Sequence, residues 1–183
     1  LRGAHICFVT RKHSGYLPEV LECEGFQVEI LPELDDMGYE TGYALWLGVS
    51  QEEDARQTIA ALKGLVCDLL IVDHYAIDRV WERLLRKHTS KIMVIDDLAN
   101  RAHDCDILLD QNYSSFGRES YKTYVPLSCQ LLLGPRYALL RPEYAQAREH
   151  MAPKAEGIQR VLIYMGGSDS ANITGMALIA LSS

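Results

Sequence analysis

The chain has 183 residues, 48% hydrophobic and 23% charged, which is typical of a globular protein that can form a hydrophobic core. Its formal net charge of −7, with no basic block, argues against a nucleic-acid partner, which requires clustered Lys and Arg. No apolar run approaches the ~20 residues that span a bilayer, and the first residues lack the pattern of a signal peptide, so no membrane partner is expected.

Predicted strands alternate with predicted helices along most of the chain. Short apolar segments predict strands at residues 4–10, 26–31, 69–72, 92–95 and 107–109. Helices are predicted at residues 15–24, 51–63 and 79–85. The strand at 69–72 is apolar on both sides, which indicates a parallel sheet covered by helices. The order predicts an α/β fold with a doubly wound, Rossmann-like parallel sheet.

Two of these helices begin at recognisable caps. Ser50 and Glu53 have the spacing of a capping box, in which each side chain satisfies a free amide near the other. Asp78 is expected to cap the helix that carries Trp81 and Leu85.

Two stretches interrupt the alternation. Residues 33–49 are rich in glycine and aromatic residues, and connections of this length are usually functional or mobile. Residues 142–159 combine proline, glycine and charges, which indicates a linker, and residues 160–165 predict a fresh strand. We therefore predict an N-terminal domain at residues 1–150, followed at 151–183 by a linker and the start of a second domain.

Both ends of the sequence favour an internal piece of a longer protein. The first residue is Leu1, and the apolar helical pattern at 173–183 ends without a Gly cap or a basic residue. Processing of the chain is the alternative.

The five cysteines are widely spaced and include no Cys-x-x-Cys pair. This pattern favours buried free thiols in a reducing compartment, and hence a cytoplasmic protein, over a zinc site or a disulfide framework.

Polar residues follow several predicted strands at the edge of the sheet where ligands bind. Arg11 follows the first strand, the triplet Asp73-His74-Tyr75 follows the middle one, and Asp96-Asp97 follows the next. His74 can act as a general base if Asp73 orients it; alternatively, Asp73 caps its own turn. The Asp96-Asp97 pair suits either a divalent metal or the capping of a turn, and we predict no metal site because the other histidines lack ligand spacing.

A glycine-rich turn follows the predicted strand at 160–165 and precedes a helix from about Asn172. Such a turn presents backbone amides to a phosphate, and the helix dipole favours the negative charge. The candidate phosphate-binding residues are Gly166, Gly167, Ser168, Asp169 and Asn172. A tight connection with a capping Ser or Asn is the alternative.

Six stretches in the same order resemble one family, the UDP-2,4-diacetamido-2,4,6-trideoxy-β-L-altropyranose hydrolases of pseudaminic acid biosynthesis. They are residues 46–50 (WLGVS), 72–75 (VDHY), 95–101 (IDDLANR), 103–112 (HDCDILLDQN), 133–143 (LGPRYALLRPE) and 166–169 (GGSD). The resemblance extends through essentially the whole chain.

The resemblance implies a GT-B fold with the UDP-sugar between two Rossmann-like domains. It also implies that water attacks the anomeric carbon and releases UDP and the free sugar, with no metal or other cofactor. Tyr75 matches a family position near the reacting sugar, His74 should face the sugar beside it, and Gly166 to Asp169 match the diphosphate loop.

The sequence departs from the family in one respect that concerns catalysis. The family's catalytic His lies in a glycine-rich loop that would precede Leu1, and most uridine contacts would follow Ser183. We therefore expect the 183-residue chain by itself to lack useful hydrolase activity. A GT-B glycosyltransferase and a UDP-sugar-binding module without chemistry are the alternatives; the sequence leaves the oligomeric state open.

Overall fold

The computed structural model describes residues 3–12, 18–32, 42–151, 157–158, 160–165, 169 and 171–182. Contacts between residues divide the chain into two compact units, Leu1–Leu139 and Leu140–Ser183. The sequence placed the domain boundary later, after residue 150. The mixed α/β architecture with parallel sheets confirms the predicted fold class.

The first unit begins with a parallel pair of strands. β1 (Cys7–Arg11) pairs with β2 (Gln27–Leu31), and the helix α1 (Pro18–Cys23) lies between them in the chain. Gly25, with a φ of 83°, ends the turn after α1, where a left-handed conformation favours glycine.

Two helices precede the main sheet. The short helix α2 (Ala44–Leu47) ends at Gly48, whose φ is 74°. The helix α3 (Gln51–Ala61) begins at Ser50, whose hydroxyl accepts a hydrogen bond from the amide of Glu53. Half of the predicted capping box is thus confirmed. The Glu53 carboxylate binds Arg56 and Gln57 instead of closing the box, and the ion pair with Arg56 lowers its pKa to about 2.

The main sheet has four parallel strands in the order in which they follow along the chain. They are β3 (Cys67–Val72), β4 (Thr89–Ile95), β5 (Ile107–Asp110) and β6 (Gln130–Leu133). The helix α4 (Arg79–Leu85) connects β3 to β4 and is capped by Asp78, as predicted, through its hydrogen bond from the amide of Val80. Because every strand is parallel to its neighbour, the carboxyl ends meet at one edge.

The hydrophobic core covers one face of this sheet. Val72, Ile92, Val94 and Leu108 pack with side chains of α3 and α4, and Leu85 is fully buried. On the opposite face of β3, Leu69 and Ile71 are 43% and 55% exposed. Among the described residues, it is the face of Val72 that packs against helices.

The second unit contains two helices in its described residues. α5 (Pro142–Glu149) occupies the first half of the predicted linker, and Pro142 is accommodated in its first turn, where no amide partner is needed. α6 is Ile173–Ser182. The predicted strand at 160–165 is not formed, because these residues pair with no other strand that the structure describes. None of the helices in the described residues has both the length and the apolar composition of a membrane span.

Candidate functional site

A cleft lies at the carboxyl ends of β3, β4 and β5. Its described lining residues are Asp73, Tyr75, Ile95, Asp96, Asp97, Leu109, Asp110, Gln111, Asn112 and Leu139. The volume of the cleft is about 150 Å³, below the ~300–1,000 Å³ of sites that enclose a drug-sized ligand. This cleft can therefore hold one part of a larger ligand.

The polar centre of the cleft is a carboxylate held between two neutral donors. The hydroxyl of Tyr75 donates to Oδ1 of Asp97 over 2.8 Å, and the side-chain amide of Asn112 donates to Oδ2 over 2.9 Å. The hydrogen bond to Asp97 raises the pKa of Tyr75 to about 12, because the phenolate would face a negative charge. At neutral pH, Tyr75 is a protonated donor.

Asp97 points into the cleft because its neighbour is anchored in the interior. Asp96 is 2% exposed, its Oδ2 accepts the amide of Ala99 over 3.1 Å, and its Oδ1 lies 2.6 Å from Nη1 of Arg101. Asp96 therefore caps the turn after β4, one of the two alternatives left by the sequence. No group of three or more His, Cys, Asp or Glu side chains in the described residues could hold a metal ion.

The segment that carries Arg101 is fixed by a second buried acid. Both carboxylate oxygens of Glu82, which is 0% exposed, are bound: Oε1 lies 2.6 Å from Nδ1 of His103, and Oε2 accepts the amide of Asp104. On its other side, Nε2 of His103 lies 4.0 Å from Oδ2 of Asp96. α4 thereby holds the loop after β4 in place.

Asn112 is oriented by the end of β5. Asp110 is buried; its Oδ1 accepts the amide of Asn112 over 2.9 Å, and its Oδ2 lies 3.0 Å from the hydroxyl of Tyr121. The same hydroxyl lies 2.9 Å from the carbonyl of Asp96. Tyr121 thus joins the ends of β4 and β5, which places Asn112 beside Asp97.

The structure turns His74 toward the backbone instead of toward Asp73. Nδ1 of His74 accepts the amide of Ala76 over 3.0 Å, and the ring makes a second hydrogen bond with the backbone of Trp46. If Nδ1 accepts, the proton resides on Nε2, so the second bond is a donation to the Trp46 carbonyl. Burial lowers the pKa of His74, which favours this neutral form.

An aromatic cluster beside the cleft was missed by the sequence analysis. The ring of Tyr43 lies 5.0 Å from that of Trp46 and 4.9 Å from that of Tyr75, and the last two are 5.9 Å apart. Tyr43 and Trp46 are 41% and 58% exposed. The only signal in the sequence was the concentration of aromatic residues in the long connection at 33–49.

The side chain of Arg11 binds other groups of this protein. Its Nη2 lies 2.7 Å from Oδ2 of Asp54, Nη1 donates to the carbonyl of Pro32 over 2.6 Å, and both charged side chains are at most 10% exposed. Oδ1 of Asp54 in turn accepts the indole N–H of Trp81. Arg11 therefore connects β1 to α3 and α4.

In the second unit, the described residues of the candidate phosphate loop cap α6. The carboxylate of Asp169 accepts the amides of Ile173 and Thr174, and Oδ1 of Asn172 accepts the amide of Gly175. The hydrogen bonds from Thr174 and then Ile173 lower the pKa of Asp169. The other predicted residues, Gly166, Gly167 and Ser168, lie outside the described residues.

The charged residues that line the cleft indicate which part of a ligand can bind there. Four of its lining residues are aspartates, and none of the described lining residues is Lys, Arg or His. Carboxylates accept hydrogen bonds from hydroxyl and amide groups but repel phosphates. The cleft therefore suits a neutral ligand group with several donors.

No protein-family model matches the chain. The chain is 36% identical over 125 residues to the UDP-2,4-diacetamido-2,4,6-trideoxy-beta-L-altropyranose hydrolase of Campylobacter jejuni; these residues are 67% of this chain and 43% of that enzyme. It is 21% identical over 165 residues to an uncharacterized protein of Methanocaldococcus jannaschii, covering 85% of this chain and 31% of that protein. The chain thus spans less than half the length of either relative.

The first of these similarities supports a relationship between the chain and the family of the Campylobacter enzyme. It accords with the six motifs, although it covers 67% of the chain and the motifs predicted a resemblance through nearly all of it.

Proposed function

We propose that the protein containing this chain hydrolyses UDP-2,4-diacetamido-2,4,6-trideoxy-β-L-altropyranose to UDP and the free sugar, a step of pseudaminic acid biosynthesis. The 36% identity to the Campylobacter hydrolase and the ordered motifs support the reaction. The parallel α/β architecture supports the N-terminal half of a GT-B enzyme. The proposal includes a cytoplasmic location, which the free thiols favour, although Cys7 and Cys23 are exposed and not buried as predicted.

The observation that carries the proposal is the hydrogen-bonded group of Tyr75, Asp97 and Asn112 at the carboxyl ends of the strands. A diacetamido sugar is uncharged and carries amide N–H and hydroxyl donors. The lone pairs of Asp97 that Tyr75 and Asn112 leave open can accept them. We therefore assign the sugar, rather than the diphosphate, to this cleft.

Tyr75 and His74 have binding and positioning roles in this proposal. A general base must remove a proton from the attacking water. With a pKa of about 12, Tyr75 is protonated at neutral pH, so it holds Asp97 and contacts the sugar. Both ring nitrogens of His74 are engaged by backbone groups, so His74 positions the segment around Trp46. Asp73, which is exposed and lines the cleft, is a further sugar contact.

In the second unit, we propose that Gly166, Gly167 and Ser168 bind the diphosphate. Asp169 and Asn172 support this segment as the caps of α6, since their side chains bind amides of that helix. For Arg11, the ion pair with Asp54 supports a structural role in place of substrate binding.

The test is the release of UDP from the UDP-sugar by the natural protein that contains residues 1–183. We expect turnover in the wild type and a roughly tenfold lower kcat/KM for Tyr75→Phe, which loses one hydrogen bond in the site. Tyr113→Phe, at a tyrosine that is 83% exposed, is the matched control and should keep the wild-type rate. An absence of UDP release by the folded wild type would overturn the proposed function.

A further inference from the structure

Tyr43 and Trp46 expose large aromatic surfaces on a segment that is otherwise anchored in the core. The neighbouring Leu47 and Val49 are only 5% and 9% exposed, so the segment itself is firmly packed. Trp46 is nevertheless 58% exposed and Tyr43 is 41% exposed. A contiguous exposed apolar surface next to a polar cleft is typical of a binding site.

The rings form an ordered face. Tyr43 contacts Trp46 edge-on, with an interplanar angle of 75°, and both rings are tilted by 43–46° against Tyr75. The hydrogen bond between His74 and the backbone of Trp46 joins this segment to the loop after β3. The face therefore requires little ordering when a ligand binds, which lowers the entropic cost of binding.

Tyr75 belongs both to this aromatic face and to the polar cleft. Its ring packs against Tyr43 and Trp46, while its hydroxyl binds Asp97. A ligand at this junction meets π surface on one side and carboxylate acceptors on the other. A pyranose ring has this division: its C–H bonds and methyl groups carry partial positive charge toward a π face, and its O–H and N–H groups point outward.

A uracil base would also stack on aromatic rings, but its diphosphate would then lie near the aspartates of the cleft. The described lining residues include four aspartates, of which Asp96 is paired with Arg101, and no cationic side chain, so the remaining negative charge would repel the phosphates. The charge of the cleft therefore favours the sugar over the nucleotide as the group that stacks here.

We propose that Tyr43, Trp46 and Tyr75 form a stacking subsite for the pyranose of a deoxy-acetamido sugar, and that Trp46 determines the preference for its methyl-bearing, deoxygenated face. This inference rests on the proposed function for the identity of the sugar. His74 is the positioning residue of the subsite, because it holds the backbone of Trp46.

Tryptophan emission of the 183-residue chain tests the subsite directly, because the chain has only two tryptophans. Trp81 is 4% exposed, so a ligand-dependent change in emission reports on Trp46. The probes are UDP-2,4-diacetamido-2,4,6-trideoxy-β-L-altropyranose, UDP-N-acetylglucosamine and UDP. We expect a saturable change with the first probe and none with UDP. The second probe should give a weaker response, because it carries a hydroxyl in place of the C4 acetamido group and a hydroxymethyl group in place of the methyl.

Two variants separate stacking from folding. Trp46→Ala should bind the diacetamido sugar nucleotide roughly tenfold more weakly in calorimetric titration, whereas Trp46→Phe, which keeps a ring, should lose much less. Phe116→Ala, at a side chain that is 77% exposed, is the control and should bind as the wild type does. Circular dichroism checks that each variant is folded.

The inference is overturned if the UDP-sugar leaves the emission unchanged, if UDP alone reproduces the whole change, or if Trp46→Ala binds as tightly as the wild type. These results are distinct from failure of the proposed function. Stacking by the chain, with no UDP release by the natural protein that contains residues 1–183, would leave the subsite standing and refute the hydrolase. UDP release by that protein that Trp46→Ala does not alter would refute the subsite alone.

Discussion

The hydroxyl of Tyr75 lies 2.8 Å from Oδ1 of Asp97, at the ends of two adjacent parallel strands. This contact joins an aromatic surface to an acceptor group in one cleft. It also determines the protonation state of the phenol, since the hydrogen bond to Asp97 raises its pKa to about 12.

The first prediction concerns that pKa. In Asp97→Asn, the carboxylate that stabilises the neutral phenol is gone, so the pKa of Tyr75 should fall toward the ~10 of an unperturbed tyrosine. Because the chain has ten tyrosines, the ultraviolet titration curve of Tyr75→Phe must be subtracted from that of the wild type. The difference between the two curves is the titration of Tyr75. An unchanged Tyr75 titration in Asp97→Asn would contradict the role of Asp97.

The second prediction is a pH dependence of stability that arises from His74. Burial lowers its pKa in the folded state, with Asp54, Arg101 and Asp73 as the charged groups that also act on it. In the unfolded state, the pKa of a histidine is ~6.5. Below that pH the unfolded state binds the proton more readily than the folded state does, so the free energy of unfolding decreases as the pH falls.

The urea midpoint should therefore drop between pH 7.5 and pH 5.5 by less in His74→Gln than in the wild type. The same substitution at His150, which is exposed, is the control and should leave the wild-type drop in place. Equal drops in the wild type and His74→Gln would show that His74 is not held neutral by burial.

The third prediction distinguishes a structural Arg11 from a substrate-binding one. Arg11→Ala leaves Asp54 buried without its cation, which should lower the free energy of unfolding by ~3 kcal/mol. Binding of the UDP-sugar by the fraction that remains folded should be unaffected. A stable Arg11→Ala protein with strongly weakened binding would restore the role that the sequence predicted.

The fourth prediction concerns the buried acid of α4. Glu82→Gln leaves one acceptor oxygen where the carboxylate has two, so the side chain can no longer accept from both the ring of His103 and the amide of Asp104. The loss should be ~1–3 kcal/mol in the free energy of unfolding, measured by urea denaturation. Glu119→Gln, at a carboxylate that is 71% exposed, should leave the midpoint unchanged. Equal midpoints for both variants would refute the role of Glu82.

Local signals predicted much of the fold. The hydroxyl of Ser50 and the carboxylate of Asp78 cap the helices that the sequence assigned to them, because a cap depends on residues only two or three positions away. β6 was missed because Gln130–Leu133 is a short apolar run with no periodicity of its own. The composition of residues 160–165 is typical of a strand. A strand forms only when it pairs with another strand, however, and the composition of a segment does not predict that pairing.

The candidate site was only partly predictable for the same reason. Tyr75 was identified from its motif and its place after β3. Its association with Tyr43 and Trp46 depends on packing between residues about thirty positions apart, and its bond to Asp97 depends on the pairing of β3 with β4. The sequence could not predict that the ring of His74 turns toward the backbone, because the acceptor and donor that hold this ring are backbone groups.

The central claim, that this cleft binds the sugar half of a UDP-sugar, is tested most directly by the nuclear magnetic resonance signal of the Asn112 side-chain amide. That amide donates to Asp97 at the centre of the cleft and can be assigned by comparison with Asn112→Asp. We predict that UDP-2,4-diacetamido-2,4,6-trideoxy-β-L-altropyranose shifts the signal of the 183-residue chain saturably and that UDP does not. An unmoved signal with the UDP-sugar, or the same shift with UDP alone, would contradict the account.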